Sequence, residues 1–319
     1  MNLEILISNL TNPTLLFFIL GIIANRVKSD LQIPESTSKF ISLYLLFAIG
    51  FKGGQELTHS PLSYEILATL IFGIIIASII PLYSFYILKT KFSISDAGAV
   101  AASYGSVSAV TFVAAASFLE AQSIDFGGHM VAVMALMESP AIIVGVILIM
   151  LYEKEKESGT GMKKILHHSF TNASVLMLIG SLVIGFVSDA KQARGIEPFT
   201  TDIFKGFLAI FLLEMGIISS QKFNSFLKYG RFAILFGLLM PLINGISVAF
   251  LSQIVTESVG NRFMFSILAA SASYIAVPAA MRIAAPKADA GLYIPMALAV
   301  TFPMNITLGM PLYYYIVNL

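Results

Sequence analysis

Two stretches of the sequence combine small, hydroxyl-bearing and helix-breaking residues within otherwise apolar surroundings. They are residues 101–111 (AASYGSVSAVT) and 269–281 (AASASYIAVPAAM). Mid-run glycine or proline predicts a broken helix, whose freed backbone groups are tolerated only inside protein or beside a wet cavity. The N-terminus of a half-helix carries partial positive charge, and serine or threonine adds hydroxyl donors, so the pattern favours a small anion. The candidate ligands are Gly105, Ser106, Ser108, Thr111, Ser271, Ser273 and Pro278.

The same stretches have a structural interpretation, in which small residues only let neighbouring helices pack closely. Glu138, in the sequence Met-Glu-Ser-Pro, is an ionisable residue inside an apolar run, and such residues mark functional sites by default. It is a candidate ligand for a coupling cation or a proton, with a structural role beside a hydroxyl as the alternative. Glu214 has the same two interpretations, and its structural role is favoured. Tyr104 and Tyr274 complete the coupling-ion candidates, and sodium is the metal ion considered.

Composition places these residues in a membrane. The chain is 57% hydrophobic and 12% charged with a mean hydropathy of +0.86, whereas soluble domains are roughly 25% charged. The net charge of +1 offers no basic surface for nucleic acid, and the absence of cysteine excludes disulfides and thiolate metal sites. No histidine metal site is expected, because all four histidines are predicted in connections between apolar runs. These are His59, His129, His167 and His168.

Ten apolar runs approach the length of about 20 residues that crosses a hydrocarbon core of roughly 30 Å. The first five lie near residues 13–27, 36–54, 64–88, 96–118 and 129–152. The second five lie near residues 171–188, 200–220, 229–254, 262–283 and 291–317. The predicted organisation is therefore a five-helix unit at 1–155, a cytoplasmic loop at 156–170 and a second five-helix unit at 171–319.

Basic residues are distributed unevenly between the connections. Those after odd-numbered runs hold thirteen of the 19 Lys and Arg residues. Those after even-numbered runs hold Lys52, Lys191, Arg194 and Arg262, while Lys39 and Lys205 fall within runs. The positive-inside rule then predicts cytoplasmic odd-numbered connections, with both termini outside.

The two halves of the chain match each other at an offset of about 160 to 170 residues. LFAIGFKGGQEL at 46–57 matches LLEMGIISSQKF at 212–223, and Ala-Ser-Tyr at 102–104 recurs at 272–274. A unit of five spans inserts its second copy upside down, as in many secondary transporters. The predicted fold is thus an all-α integral membrane protein with ten transmembrane helices in two inverted five-helix repeats, with helices 4 and 9 broken.

Several motifs resemble those of the sodium-dependent bicarbonate permease family, the cyanobacterial type. They are Ile33-Pro34-Glu35, the glycine-rich 50–54, YGSVSAVTFVAAA at 104–116, MESPA at 137–141 and SASYIAVPAAMR at 271–282. The resemblance implies a sodium-coupled bicarbonate symporter, a homotrimer in the bacterial cytoplasmic membrane, with the anion where spans 4 and 9 cross. It also implies a gate domain from spans 1, 2, 6 and 7, and a core from spans 3–5 and 8–10 that moves as an elevator.

Some features depart from that family pattern. Tyr274 stands where the pattern has an acidic residue, whereas the acidic residue of the fifth span is kept as Glu138. The short central loop argues against control by a soluble PII-like regulator.

The alternative functions are a carrier of another small anion, such as an organic carboxylate, an anion channel, or a membrane sensor. No enzyme activity and no cofactor beyond the sodium ion are expected, since the sequence has no HExxH motif and no serine paired with a membrane histidine.

Overall fold

A computed structural model describes residues 7, 11–58, 63–153 and 173–319, and all the regular structure in these ranges is helical. The helices of the first half are α1 (Pro13–Arg26), α2 (Glu35–Thr58), α3 (Tyr64–Leu88), α4 (Ile94–Gly105), α5 (Ala109–Ala121) and α6 (His129–Tyr152). Those of the second half are α7 (Ala173–Val187), α8 (Ala190–Arg194), α9 (Phe204–Phe226), α10 (Gly230–Leu251), α11 (Val259–Ala270), α12 (Ala276–Ala284) and α13 (Ala290–Val317).

Each of the ten predicted runs is helical over most of its described length, with ends that differ by a turn or two. By length and composition, six helical stretches of the described residues can cross a membrane. They are Tyr64–Leu88, Ile94–Ala121, His129–Tyr152, Pro198–Phe223, Leu227–Ile254 and Ala290–Val317. The protein therefore has several membrane-spanning helices, and the number ten stays a prediction because α1, α7 and α11 are apolar but shorter and α2 is not among the six stretches.

The helix breaks predicted in the fourth and ninth runs are both present. Residues 106–108 separate α4 from α5, and residues 271–275 separate α11 from α12. Ser108 begins α5 as its N-cap, with its side chain accepting a hydrogen bond from the Thr111 N–H. Pro278 lies in the first turn of α12, where its missing N–H costs no helical hydrogen bond. Local sequence thus determines where each second half-helix begins.

Two helix pairs, α1 with α9 and α2 with α7, pack through glycines at very short distance. A methyl group added at Gly216 of α9 would lie 2.1 Å from the Phe18 carbonyl oxygen of α1. One added at Gly54 of α2 would lie 2.1 Å from the Leu182 carbonyl oxygen of α7. The other long helices pack around the two breaks, with α3 against α4 and α6, and α10 against α11 and α13.

The structure corrects three placements of polar residues. His129 was expected in a connection, but it is the first residue of α6 and is only 7% exposed. Arg262 was also expected in a connection, but Ser258 caps α11 a turn earlier, so Arg262 is buried and donates to the Ala249 carbonyl at 3.2 Å. Lys52 lies inside α2, which continues to Thr58. The other three histidines and the central loop at 156–170 lie outside the described residues.

Candidate functional site

The two helix breaks are hydrogen-bonded directly to each other. The Ser273 N–H donates to the Ser103 carbonyl at 2.8 Å, and the Ser103 hydroxyl donates to the Ser273 carbonyl. The Ser108 N–H donates to the Ser271 hydroxyl oxygen at 3.0 Å. All four residues are buried. The ends of α4 and α11 and the starts of α5 and α12 therefore form one joined centre.

The serines of this centre differ in whether the hydroxyl proton is already donated to a backbone carbonyl. Ser271 donates its hydroxyl proton to the Leu268 carbonyl at 2.8 Å, so that proton is already in use. Ser108 and Ser273 instead accept hydrogen bonds through their oxygens, from the backbone N–H groups of Thr111 at 3.2 Å and Val277 at 3.4 Å. A hydroxyl has one proton and can both donate and accept, so neither proton is given to a backbone carbonyl. The Ser273 proton is available to a ligand, and the Ser108 proton is available to a ligand or to the neighbouring Tyr274 oxygen.

A cavity of about 310 Å³, including the space at its mouth, lies against the centre. Residues of both breaks and Glu138 of α6 form one wall, and residues of α2 and α7 form the other. The lining residues are Ser42, Leu46, Val107, Ser108, Ala109, Glu138, Ser174, Ser273, Tyr274, Ile275 and Ala276. The site is therefore placed where the helix breaks face the α2–α7 pair.

Several polar atoms without a hydrogen-bond partner belong to residues that line this cavity or adjoin its lining residues in sequence. Within the described part of the chain, Glu138 Oε2 has no hydrogen-bond partner, and the same holds for the hydroxyl groups of Ser106, Ser139 and Tyr274. Glu138 is 8% exposed, and no ion pair in the described residues includes it. Buried polar groups in native proteins are nearly always paired, so such a cluster indicates a position for a bound ion, ligand or water.

Glu214 of α9 is a second buried carboxyl group near the centre. It is 6% exposed, its Oε2 has no hydrogen-bond partner in the described residues, and it lies near Ser38 of α2 and Tyr274. The sequence favoured a structural role because the matching Ala48 is apolar. Glu214 does not line the cavity, but its electrostatic influence on Tyr274 makes it a second candidate carboxyl group.

Six of the predicted site residues do not line the cavity, namely Ser106 and Ser271 of the breaks and the four residues described next. Gly105 approaches Pro81 of α3 so closely that an added methyl group would lie 2.2 Å from the ring. Tyr104 is bound to Thr301, with 2.6 Å between the hydroxyl oxygens. Thr111 and Pro278 lie in the first turns of α5 and α12. The cavity itself is lined by Ser108, Ser273, Tyr274 and Glu138, and the ligand roles of all these residues stay predictions.

Sequence reasoning missed two residues that hold the centre from α13. Thr301 bonds Tyr104 at the end of α4 and donates to the Gly237 carbonyl at 2.8 Å. The Asn305 amide donates to the Ala270 carbonyl, the last residue of α11, at 2.7 Å. Both residues lie in π-helical stretches, Met296–Thr301 and Asn305–Gly309, and such stretches are frequent at functional sites. Their polarity within an apolar run was the signal that could have found them.

A larger cavity of about 810 Å³ opens away from the helix breaks. It is lined by α2, α5, the start of α6 and the start of α9, and includes Lys52, Glu56, Glu120, Asp125 and Lys205. Ser117 of this cavity and Ser108 of the site are nine residues apart along α5, or about 13 Å at 1.5 Å per residue. The larger cavity is therefore separate from the site.

Two helix breaks meet beside buried carboxyl groups, in a protein with several membrane-spanning helices. This combination is typical of membrane transport proteins. The chain belongs to the Na+-dependent bicarbonate transporter superfamily, whose family model matches residues 13–318. This match covers nearly the whole chain and confirms the resemblance inferred from the motifs. Among curated proteins, no sequence matches the chain.

Proposed function

We propose that the protein is a cation-coupled secondary active transporter of a small anion, with sodium-coupled symport of bicarbonate as the leading form. The observation that carries this proposal is the buried Glu138 carboxyl group, which has no cationic partner in the described residues and lies beside hydroxyl donors at two helix breaks. Family membership supports bicarbonate and sodium as the transported species.

Electrostatics links the two species at such a site. A carboxylate removed from water is costly unless a bound cation or a proton compensates its charge. Two like unit charges 4 Å apart repel by about 4 kcal/mol at an effective dielectric constant of 20. An anion beside uncompensated Glu138 is therefore repelled, and neutralisation of Glu138 by the coupling cation removes that repulsion. Since linkage is reciprocal, the anion also strengthens binding of the cation, which is the thermodynamic basis of coupling.

The anion is held by neutral donors. The Ser108 and Ser273 hydroxyl groups each keep a proton, and both line the cavity. The first N–H groups of α5 add the partial positive charge of a helix N-terminus. No Lys or Arg residue is needed for this binding mode, and none lines the cavity in the described part of the chain.

The helix pairing supports inverted repeats and a two-domain mechanism. In the proposed repeats, α2 corresponds to α9 and α7 corresponds to α1. The observed pair α2–α7 therefore corresponds to the other observed pair, α1–α9. We infer that these four helices form the gate, and that the helices around the breaks form a core that moves past it as an elevator. The proposed assembly is a homotrimer in the bacterial cytoplasmic membrane, with odd-numbered connections in the cytoplasm and both termini outside.

A second candidate cargo is a small organic carboxylate, on the same core. Tyr274 favours it, because a neutral tyrosine lines the cavity at the place where the family pattern has an acidic residue. Membership of a transporter family argues against an enzyme.

The test is uptake of labelled bicarbonate into proteoliposomes of the purified protein under an inward sodium gradient, with potassium replacing sodium in parallel vesicles. We expect saturable uptake that requires sodium. Uptake of formate or acetate in competition with bicarbonate would favour the organic carboxylate. Saturation and counterflow separate a carrier from a channel, and folded protein that takes up none of these anions contradicts the proposal.

Ser108→Ala and Ser273→Ala are each expected to raise the KM for the anion about tenfold. The physical reason is loss of one hydrogen bond to a charged ligand, worth roughly 1.5 kcal/mol, and each 1.4 kcal/mol is a factor of ten. Uptake kinetics at saturating cation measures the change. Ser78→Ala is the matched control, because this half-buried serine of α3 donates to the Ile74 carbonyl of its own helix and does not line the cavity. An unchanged KM in both site variants would remove these hydroxyl groups from the anion site.

A further inference from the structure

Tyr274 lies inside the second helix break, with its ring fixed and its hydroxyl proton unused. The ring packs edge-on against Phe302 of α13, with centroids 6.3 Å apart and an interplanar angle of 68°. Phe302 in turn packs edge-on against Phe18 of α1 at 5.7 Å. The Tyr274 hydroxyl is buried and Tyr274 lines the cavity. The Ser108 hydroxyl lies close enough to donate to the Tyr274 oxygen, but the Tyr274 proton has no acceptor in the described residues. The Tyr274 hydroxyl is thus a fixed donor at the cavity without an acceptor among the described residues.

The groups around this hydroxyl indicate whether it binds the coupling cation or the anion. Ser108 and the carboxyl group of Glu214 are its neighbours, and Glu138 lies in the same cavity wall. A cation in this cavity finds the Glu138 carboxyl group as a ligand, which is far stronger than the oxygen of a neutral phenol. An anion in the cavity depends on O–H and N–H donors.

Such donors are few, because several hydroxyl protons of the centre are already in use. Ser103 donates to the Ser273 carbonyl, and Ser271 donates to the Leu268 carbonyl. Among the described residues that line the cavity, Ser108, Ser273 and Tyr274 are the hydroxyl donors of the two breaks, and Ser42 and Ser174 carry the hydroxyl groups of the opposite wall. Ser108 belongs to the first break, and Ser273 and Tyr274 belong to the second.

We propose that the Tyr274 hydroxyl donates directly to an oxygen of the bound anion, and that it is a ligand of the anion rather than of the coupling cation. This inference rests on the proposed transport function and assigns one residue of its site. Donors from two breaks fit a small carboxylate-type oxyanion with at least two acceptor oxygens, such as bicarbonate, formate or acetate. Directional O–H donors select such an anion over a halide of the same charge.

The experiment replaces Tyr274 by Phe, which removes only the hydroxyl and keeps the ring contact with Phe302. The KM for the anion and the half-saturating concentration of the cation are measured separately in proteoliposomes. We expect the KM for bicarbonate to rise about tenfold while the cation half-saturation stays the same, and inhibition of uptake by chloride to become stronger. Tyr86→Phe is the matched control, because this tyrosine is exposed on α3 and its hydroxyl is bound to Tyr152 at 2.9 Å.

A rise in the cation half-saturation with an unchanged anion KM would instead assign the hydroxyl to the cation and overturn the inference. Equal constants in wild type and variant would also overturn it, while leaving the transport function intact. If Tyr274→Phe does not fold, Tyr274→His retains an N–H donor and is expected to keep a KM within a few-fold of wild type. Wild-type protein that neither transports these anions nor is stabilised by them against thermal unfolding contradicts the proposed function and the inference together.

Discussion

Anion uptake by a Glu138→Gln variant is expected to lose its dependence on the coupling cation. Glutamine keeps the shape of the side chain but has no negative charge to attract a cation. Breaking a buried charge pair costs about 3–5 kcal/mol, which corresponds to more than 100-fold in the half-saturating cation concentration. The measurement is uptake of labelled anion into proteoliposomes over a series of sodium concentrations. Some uptake driven by the anion gradient alone should remain, because the repulsion from a carboxylate is absent.

Glu120→Gln provides the control for this prediction. Glu120 is about half exposed and forms an ion pair with Lys205 at 3.0 Å, away from the helix breaks. Exposed ion pairs contribute about 0–1 kcal/mol, so the cation dependence of this variant should match wild type. A Glu138→Gln protein with the wild-type sodium curve would remove Glu138 from the coupling site and leave Glu214 as the next carboxyl group to test.

A Gly216→Ala variant is expected to be less stable than wild type by about 1–3 kcal/mol, the usual effect of forcing an extra methyl group into a packed interface. The new methyl group would lie 2.1 Å from the Phe18 carbonyl oxygen, and backbone atoms cannot yield as a flexible side chain does. Helix α1 must therefore move away from α9. Thermal unfolding of the purified protein in detergent measures the loss.

Gly206→Ala is the matched variant on the same helix. No atom of the described residues lies within 4 Å of a methyl group added at Gly206. Alanine also has a higher helix propensity than glycine by up to about 1 kcal/mol, so this variant should be as stable as wild type or more so. Equal destabilisation by both substitutions would show that the close approach of α1 and α9 does not limit stability.

Local signals in the sequence were sufficient to predict the helices and their breaks. The runs at 64–88 and 129–152 match α3 and α6 at both ends, because polar or glycine-containing connections adjoin long apolar runs there. The breaks were predictable because glycine, serine and proline act on the backbone within a few residues. Serine as an N-cap and proline in a first turn operate in the same way in any fold.

The hydrogen-bond partners of each polar group in the site could not all be predicted, because several of them lie far apart in sequence. Ser271 and Ser273 are equivalent as residue types, but Ser271 accepts from the Ser108 N–H and has donated its proton to Leu268. Ser273 retains its hydroxyl proton because that hydroxyl accepts from the Val277 N–H, while its backbone N–H and carbonyl group bind Ser103, 170 residues away. The contribution of Asn305 likewise appears only when α13 is placed beside α11.

The hydrogen bonds that join the two breaks have a consequence for the proposed elevator movement. Separating the breaks would break the bonds between Ser103 and Ser273 and between Ser108 and Ser271, so in the proposed mechanism both breaks move together. The anion would then meet the same hydrogen-bond donors at entry and at release. The direction of net flow in such a carrier is set by the concentrations and the membrane voltage, and it reverses when those gradients are inverted.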